Sequence, residues 1–111
     1  MKTSSELLIY IPTYNHSLTI YNLLNDLKLV NMNFDVLILD DSSVDNTLEK
    51  VKLFTEQKKP EFNINLVKTK KNYGYAASQK IAYTIFLEKT NCKKIIMLHG
   101  DGQYEAVLIN K

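Results

Sequence analysis

Two acidic tips follow short apolar runs and are the residues of this chain best suited to chemistry. The run 95–98 is followed by Asp101, which lies between two glycines, and the run 36–39 is followed directly by Asp40 and Asp41. Such apolar runs are typical of strands buried in a parallel sheet. Ligands of open α/β sheets bind at the carboxyl ends of their strands. Two acidic strand ends separated by helical segments therefore predict one shared site.

The residues around Asp101 indicate a divalent cation. Asp101 offers a carboxylate and Gln103 a neutral amide oxygen, and oxygen ligands of this kind suit Mg²⁺ or Mn²⁺ better than a structural zinc site. Three roles stay open for His99: a metal ligand, a hydrogen-bond donor to a ribose or phosphate, or a packed histidine at a strand end. His16 is interpreted as a loop residue and not as a ligand.

The adjacent acids Asp40 and Asp41 are expected to differ. Successive side chains of a strand point apart, so one carboxylate faces a ligand while the other caps backbone amides of the turn. Tyr14, after the first apolar run, either stacks on a base or covers the end of the sheet.

The elements that position these residues alternate between strand and helix. Strands are predicted at 7–11, 36–39, 62–66 and 95–98. Helices are predicted to start from caps at Ser17 and Asp45 and near Tyr75. Apolar positions on their inner faces are Ile20, Leu23, Leu24, Leu27 and Val30, then Leu48, Val51 and Phe54, then Ala77, Ile81 and Ile85.

This alternation predicts an α/β fold with a parallel sheet and helices on both faces. The third strand alternates apolar and polar residues and belongs at an edge, whereas the other three are expected to be buried. The order 3-2-1-4 follows, with the switch point between strands one and four. The site is then lined by residues 12–16, 40–43 and 99–104, and 72–76 can close one side.

Bulk properties exclude several classes of protein. The chain has 111 residues, enough for one small domain. Its net charge of +2 does not favour nucleic acid as a partner. No apolar run approaches the roughly 18 residues of a membrane span, and the N-terminus does not have the pattern of a signal peptide, so a cytoplasmic protein is expected. Neither GxxxxGK[ST] nor GxGxxG is present, so neither a P-loop NTPase nor a dinucleotide-binding domain is supported.

Four blocks together resemble the family 2 glycosyltransferases of GT-A fold. They are residues 11–15 (IPTYN), 39–47 (LDDSSVDNT), 72–77 (NYGYAA) and 99–104 (HGDGQY). The last block is similar to the DxDxQ(H/Y) form of dolichyl- or polyprenyl-phosphate sugar transferases. The resemblance covers nearly the whole chain and implies the Rossmann-like, nucleotide-sugar-binding half of the fold.

The resemblance implies a metal-assisted hexosyltransferase acting in cell wall or polysaccharide biosynthesis. Its partners would be a UDP- or GDP-linked sugar and a saccharide or polyprenyl phosphate acceptor. Asp101 and Gln103 would hold Mg²⁺ or Mn²⁺, with His99 as a further candidate, and Asp45 and Thr47 would order the loop and helix start. The residues implied in donor nucleotide binding are Pro12, Thr13, Tyr14, one of Asp40 and Asp41, Asn72, Gly74 and Gly100.

The chain departs from the family pattern at several positions. His99 replaces the first aspartate of the DxD motif, Tyr75 stands where many relatives have a basic residue, and residues 105–106 replace frequent prolines. The catalytic base and the acceptor loops have no counterpart, so they are expected beyond Lys111, in a protein at the cytoplasmic face of a membrane. This part alone would bind the donor only and self-associate through the apolar edge of strand four.

Two other interpretations remain open. The acidic tip at 37–42 resembles that of a response-regulator receiver, in which Asp101 would accept the phosphoryl group. That interpretation leaves the run 7–11 as an unexplained extra strand and lacks the distal lysine. The other alternative is a nucleotide-binding or structural module without catalysis.

Overall fold

A computed structural model describes residues 2–99. In chain order the elements are strand β1 (Leu7–Thr13), helix α1 (Ile20–Asp26), a 3-10 turn (Leu27–Leu29), strand β2 (Asp35–Asp40), helix α2 (Thr47–Lys58), strand β3 (Ile64–Lys68), helix α3 (Tyr75–Lys89) and strand β4 (Lys94–Met97). The predicted alternation of strands and helices is confirmed over these residues.

The strands form one parallel sheet in the order β3-β2-β1-β4, as predicted. Ile9 of β1 lies opposite Val36 of β2 on one side and Ile96 of β4 on the other. Leu37 of β2 lies opposite Asn65 of β3. The switch point of the sheet therefore falls beside β1, because β2 is added on one side of β1 and β4 is added on the other side.

Each face of the sheet carries its own hydrophobic cluster. Ile9 and Ile11 of β1 point toward α1 and α2, where Leu24 and Phe54 are fully buried. Leu8 and Tyr10 point to the other face, which α3 covers through Ala82. Because burial of a large aliphatic side chain stabilises by roughly 2 kcal/mol, these alternating contacts fix the strand register.

The edge strands are covered less completely than the centre. β3 is half-buried, as its alternation predicted, with Ile64 and Leu66 against the first cluster. β4 was expected to be buried on both faces, but Lys94 is exposed and 95–97 are only half-buried. The reason is its place in the sheet, because over residues 2–99 its one strand neighbour is β1.

Both predicted helix caps are wrong. The N-cap of α1 is Thr19 and not Ser17, because the carbonyl of His16 accepts the N–H groups of Thr19 and Ile20 in a turn that delays the helix. The N-cap of α2 is Asn46. Asp45 precedes it and accepts the backbone N–H of Thr47 at 3.0 Å and also its hydroxyl.

The helix boundaries and faces also differ in detail. Val30 is buried but extended, beyond the end of α1 and its 3-10 turn. On α3 the fully buried side chains are Ser78 and Ala82, whereas the predicted Ala77 is only half-buried. Ser78 and Ala82 are small, so the helix lies close to the sheet.

The amino end of β2 is held by a buried acid. Asp35 is fully buried, and its Oδ2 accepts the backbone N–H groups of Ser4 and Ser5, each at 2.8 Å. Its Oδ1 accepts the side-chain amide of Asn63 at 2.8 Å. Asp35 thus ties the N-terminal segment and the start of β3 to the central sheet.

Over residues 2–99, none of the helices combines the length and the apolar character that crossing a bilayer requires.

Candidate functional site

A hollow of about 400 Å³ lies at the carboxyl ends of β1 and β2, next to the first turns of α3. It is lined by Pro12, Thr13, Tyr14, His16, Asp41, Asn72, Gly74, Tyr75, Ser78 and His99. Seven of these were candidate site residues from the sequence. Asp40 does not line the hollow, and Gly100, Asp101 and Gln103 lie outside the described residues.

Asp40 shapes a loop beneath the site. Its side chain is fully buried and accepts both the backbone N–H of Ser43, at 2.9 Å, and the Ser43 hydroxyl. Its backbone carbonyl accepts the N–H of Thr69 at 2.9 Å. Because Ser43 donates a hydrogen bond to each carboxylate oxygen of Asp40, Asp40 holds the β2–α2 loop, and it does not line the hollow.

Asp41 faces the hollow and joins three segments. Its backbone N–H donates to the carbonyl of Thr13 at the end of β1, at 2.8 Å. Its Oδ1 accepts the N–H of Tyr73 at 2.8 Å and the hydroxyl of Thr69 at 3.2 Å, and its Oδ2 accepts the N–H of Gly74 at 2.8 Å. Asp41 as a whole residue is 7% exposed. With one hydrogen bond at Oδ2, it retains capacity to accept a donor from a ligand.

Gly74 adopts a backbone conformation that glycine alone takes readily. Its φ is +88° and its ψ is 165°, and it is the residue before α3. No atom within 4 Å would obstruct a Cβ there, so the requirement is conformational and not spatial. This conformation turns the N–H of Gly74 toward Asp41.

The neighbouring loop is locked by side chains that accept backbone hydrogen bonds. Asn15, at φ +54°, accepts the N–H of Val44 at 2.9 Å and donates its own N–H to the Ser43 hydroxyl at 2.8 Å. Burial raises the pKa of Asp45, but hydrogen bonds from Thr47 and Ser17 outweigh burial and hold that pKa below its ordinary value. These residues order the loop, and they do not line the hollow.

Aromatic rings form the other walls. The rings of Tyr75 and His99 are stacked, with centroids 6.3 Å apart and planes 20° apart. The Tyr75 hydroxyl donates to the sulfur of Met97 at 3.1 Å, which fixes its ring. Tyr14 stands at the rim with 42% of its surface exposed. The hollow therefore combines flat apolar faces with one carboxylate, a combination that suits a planar polar ring.

Sequence reasoning missed part of this lining. His16 was interpreted as a loop residue, although it lines the hollow and its Nδ1 accepts the N–H of Tyr14 at 3.4 Å. Tyr75 was considered only as a departure from a motif. Ser78 was not singled out, because a serine inside a helix gives no pattern that distinguishes it from a solvated residue.

The described residues do not by themselves form a metal site. Over residues 2–99, no three His, Cys, Asp or Glu side chains lie together in a way that could hold an ion. Asp101 and Gln103 lie beyond that part of the chain. Their assignment, like the ligand roles of Pro12, Thr13, Asn72 and Gly100, stays a prediction.

A second and larger hollow, about 670 Å³, lies at the amino ends of the strands. Its walls include Lys28, Lys58 and Lys59 together with the apolar Phe34 and Phe62. Lys58 ends α2 and Lys59 caps it, so these ammonium groups lie at the negative end of a helix. The interaction with the helix dipole accounts for Lys58 and Lys59 at this position, so they do not indicate a ligand.

Comparison with known proteins gives a consistent pattern. The family model described as glycosyl transferase family 2 matches residues 8–110. A dolichyl-phosphate beta-glucosyltransferase of Dictyostelium discoideum is 31% identical, over 93% of this chain and 33% of that protein. An uncharacterised protein of Methanocaldococcus jannaschii is 33% identical, over 91% of this chain and 42% of that protein. The chain thus spans between a third and about two fifths of these relatives.

Solved structures share the fold. A mannosyltransferase of Pyrobaculum calidifontis, in complex with GDP-Man and Mn²⁺, superposes with a TM-score of 0.77 at 19% identity, over 95% of this chain and 31% of that one. Residues 1–349 of S. aureus TarS, in complex with UDP-GlcNAc, superpose with a TM-score of 0.70 at 25% identity, over 86% of this chain and 26% of that one.

Proposed function

This chain belongs to glycosyl transferase family 2, and from that membership we propose that the protein containing it transfers a sugar from a nucleoside-diphosphate sugar to an acceptor. The hollow at the carboxyl end of the sheet binds the nucleotide part of the donor. One observation carries this assignment: Asp41 presents a carboxylate to the hollow, held there by the N–H groups of Tyr73 and Gly74.

The walls of the hollow suit a nucleoside. Tyr14 and the stacked pair of Tyr75 and His99 offer aromatic faces, which a base accepts regardless of its identity. Asp41 accepts an N–H of the base or a ribose hydroxyl, and Pro12 and Thr13 frame the base at the end of β1. UDP- or GDP-linked sugars are the proposed donors, since the structurally similar proteins hold UDP-GlcNAc and GDP-Man.

A divalent ion, Mg²⁺ or Mn²⁺, is the proposed cofactor. Asp101 and Gln103 would hold it, with His99 as a further candidate, and a carboxylate with an amide oxygen is a donor set that these ions favour. His99 lines the hollow, so one candidate donor is at the site. When bound, the ion neutralises charge that develops on the leaving diphosphate.

The acceptor is proposed to be a saccharide or a polyprenyl phosphate. The sequence relative named for dolichyl phosphate favours the lipid phosphate. A hexose as the transferred sugar, a role in cell wall or polysaccharide synthesis, and a place at the cytoplasmic face of a membrane belong to the same proposal. This chain contributes the donor site, and no described residue is assigned as the catalytic base.

The receiver alternative finds no support. It required the acid pair to follow the first strand of the fold, whereas Asp40 ends β2 and β1 is one of the two interior strands of the sheet. If that alternative held, acetyl phosphate would phosphorylate Asp101 and nucleotides would not bind.

Calorimetry tests the donor proposal. We expect UDP or GDP to bind the folded protein in the presence of Mn²⁺, with much weaker binding after chelation. Asp101→Asn is expected to remove the Mn²⁺ dependence without changing the thermal unfolding midpoint. The exposed Asp26, at the end of α1, gives the matched control Asp26→Asn. Absence of UDP and GDP binding to a verified folded sample would overturn the proposed function.

Self-association of this chain through β4 is a further part of the proposal. Among residues 2–99 the backbone of β4 is paired only with β1, and its half-buried Ile95, Ile96 and Met97 lie on the two faces of the sheet, so β4 can pair with the same strand of a second copy. Sedimentation at increasing concentration tests this, and Ile96→Lys is expected to weaken the association. A monodisperse monomer at high concentration would refute it.

A further inference from the structure

The hydroxyl of Ser78 is an unpaired polar group at the wall of the hollow. Ser78 lies in the first turn of α3, is 3% exposed, and is one of the lining residues. Its backbone N–H donates to the carbonyl of Gly74 at 3.0 Å, but its Oγ has no hydrogen-bond partner among residues 2–99. A buried hydroxyl left unpaired is destabilising, so such a group at a binding site indicates a ligand contact.

Tyr10 provides an internal comparison. Its hydroxyl is also buried and also lacks a hydrogen-bond partner among residues 2–99. Burial raises the pKa of this phenol, and the neighbouring Tyr75, Tyr83 and Asp41 raise it further. Tyr10 belongs to the core between β1 and α3 and does not line the hollow. The two hydroxyls therefore differ in their access to a ligand.

Asp41 and Ser78 together offer a specific hydrogen-bonding pattern. An ionised carboxylate only accepts, whereas a serine hydroxyl can donate and moves among staggered positions by rotation about one bond. An acceptor and a donor that line the same hollow can complement a base edge that carries a ring N–H next to a carbonyl. Uracil and guanine present that edge. Adenine and cytosine present a ring nitrogen that accepts, next to an amino group that donates.

We propose that Ser78 determines base specificity. Its hydroxyl donates to the carbonyl oxygen of a base whose ring N–H is accepted by Asp41, so that the hollow takes uracil or guanine and rejects adenine and cytosine. This inference rests on the proposed function, because it presupposes that the hollow binds the donor nucleotide.

The test compares Ser78→Ala with Tyr10→Phe, since each removes one unpaired buried hydroxyl. Calorimetry with UDP, GDP, ADP and CDP in Mn²⁺ would measure affinity. The parent is expected to prefer UDP or GDP. Ser78→Ala should lose about five- to tenfold in affinity for the preferred nucleotide, the usual size of one neutral hydrogen bond. Tyr10→Phe should bind like the parent, and neither variant should unfold at a lower temperature.

Modified nucleotides make the same test without a protein variant. The thio analogues are 2-thio-UDP and 4-thio-UDP, because uracil has a carbonyl on each side of its ring N–H, or 6-thio-GDP if guanine is preferred; each replaces a carbonyl oxygen by sulfur, which accepts hydrogen bonds weakly. The parent should bind at least one thio analogue more weakly than the natural nucleotide, and Ser78→Ala should bind that analogue and the natural nucleotide equally. This arm stands even if a Ser78 variant fails to fold.

The outcomes separate the two proposals. A parent that binds none of the four nucleotides overturns the proposed function. A parent that prefers ADP or CDP, that discriminates against none of the thio analogues, or that is matched in affinity by Ser78→Ala overturns the inference alone.

Discussion

Strand β2 carries a buried aspartate at each end, and the two differ in what surrounds them. Asp35, at the amino end, accepts the N–H groups of Ser4 and Ser5 and the amide of Asn63. Asp41, just past the carboxyl end, accepts the N–H groups of Tyr73 and Gly74. Both acids hold together segments that are distant in sequence, and both do so by accepting backbone N–H groups. A clamped carboxylate is therefore not by itself the mark of a functional site.

The difference lies in access. Each carboxylate accepts three hydrogen bonds, two at one oxygen and one at the other, but Asp35 is fully buried. Asp41 is 7% exposed, its Oδ2 has one partner, and it opens on a hollow with aromatic walls. We infer that Asp35 acts on stability alone, whereas Asp41 acts on stability and binding together. The following predictions are arranged to separate these two effects.

The largest effect is expected at Asp35. Asp35→Ala removes the charged acceptor of three part-buried hydrogen bonds, and at about 1 kcal/mol or more for each the free energy of unfolding should fall by about 3 kcal/mol or more. Asp35→Asn should cost less, because Asn63 can rotate its amide and offer an oxygen to the new amide group. Urea denaturation measures both, and nucleotide affinity below the unfolding transition should stay unchanged.

The surface pair of Glu6 and Lys93 provides the control for that experiment. Their charged atoms are 3.4 Å apart and both side chains are 74% exposed. Glu6→Gln should change the free energy of unfolding by less than about 0.5 kcal/mol. If Asp35→Ala costs no more than Glu6→Gln, the amino-end clamp has no energetic role.

Asp41→Asn should change two measurements at once. The amide nitrogen of asparagine would face a backbone N–H, so the free energy of unfolding should fall by about 2 kcal/mol. Affinity for UDP or GDP should fall at least tenfold, because a charged acceptor for the ligand is removed, a loss of about 1.4 kcal/mol. A variant that is destabilised but binds nucleotide like the parent would place Asp41 in the same class as Asp35.

Substitutions at two residues with positive φ, Gly74 and Lys59, should change the free energy of unfolding in opposite directions. Gly74→Ala forces a side chain into a conformation that glycine favours and should cost about 1–3 kcal/mol, although space for the methyl group is available. Lys59, at φ +43° after α2, already carries that kind of strain, and Lys59→Gly should stabilise by about 0.5–1 kcal/mol. Thermal unfolding checks both, and equal signs would contradict the comparison.

The smallest expected effect is the dependence of stability on pH at Asp45. The pKa of Asp45 is held below its ordinary value by hydrogen bonds from Thr47 and Ser17, against the effect of burial. Its contribution to stability is therefore complete above the pKa that Asp45 has in the unfolded chain, about 4, and is lost as the pH falls through its lower pKa in the folded protein. The difference in stability between the parent and Asp45→Asn should shrink from pH 6 to pH 2. A difference that is constant over that range would exclude the mechanism.

The architecture could be predicted from the sequence because its signals are local and strong. Continuous apolar runs mark β1 and β2, and the alternation of Ile64, Asn65 and Leu66 marks an edge strand. Strand order then followed from matching buried strands to central positions. β4 was the exception, since an apolar run describes composition and not how many neighbours the strand has.

The site was predicted at the level of loops and not of atoms. The sequence indicated that one of two adjacent acids faces the ligand, but which one depends on the loop through Ser42, whose φ is +65°. Asp35 gave no signal, because its partners Ser4 and Asn63 are distant in sequence. Ser78 was missed because hydrophobic periodicity does not mark a small polar residue on a buried helix face.

The register of β1 has a consequence for the order of folding. Leu8 pairs with Asp35 on one side and with Ile95 on the other, so the two partners of this central strand lie 60 positions apart in the chain (95 − 35). During synthesis β1 and β2 can associate early, whereas the second edge of β1 waits until β4 has left the ribosome. Parallel pairings of such long sequence separation form slowly. Until then, the nascent chain presents its most apolar strand to chaperones.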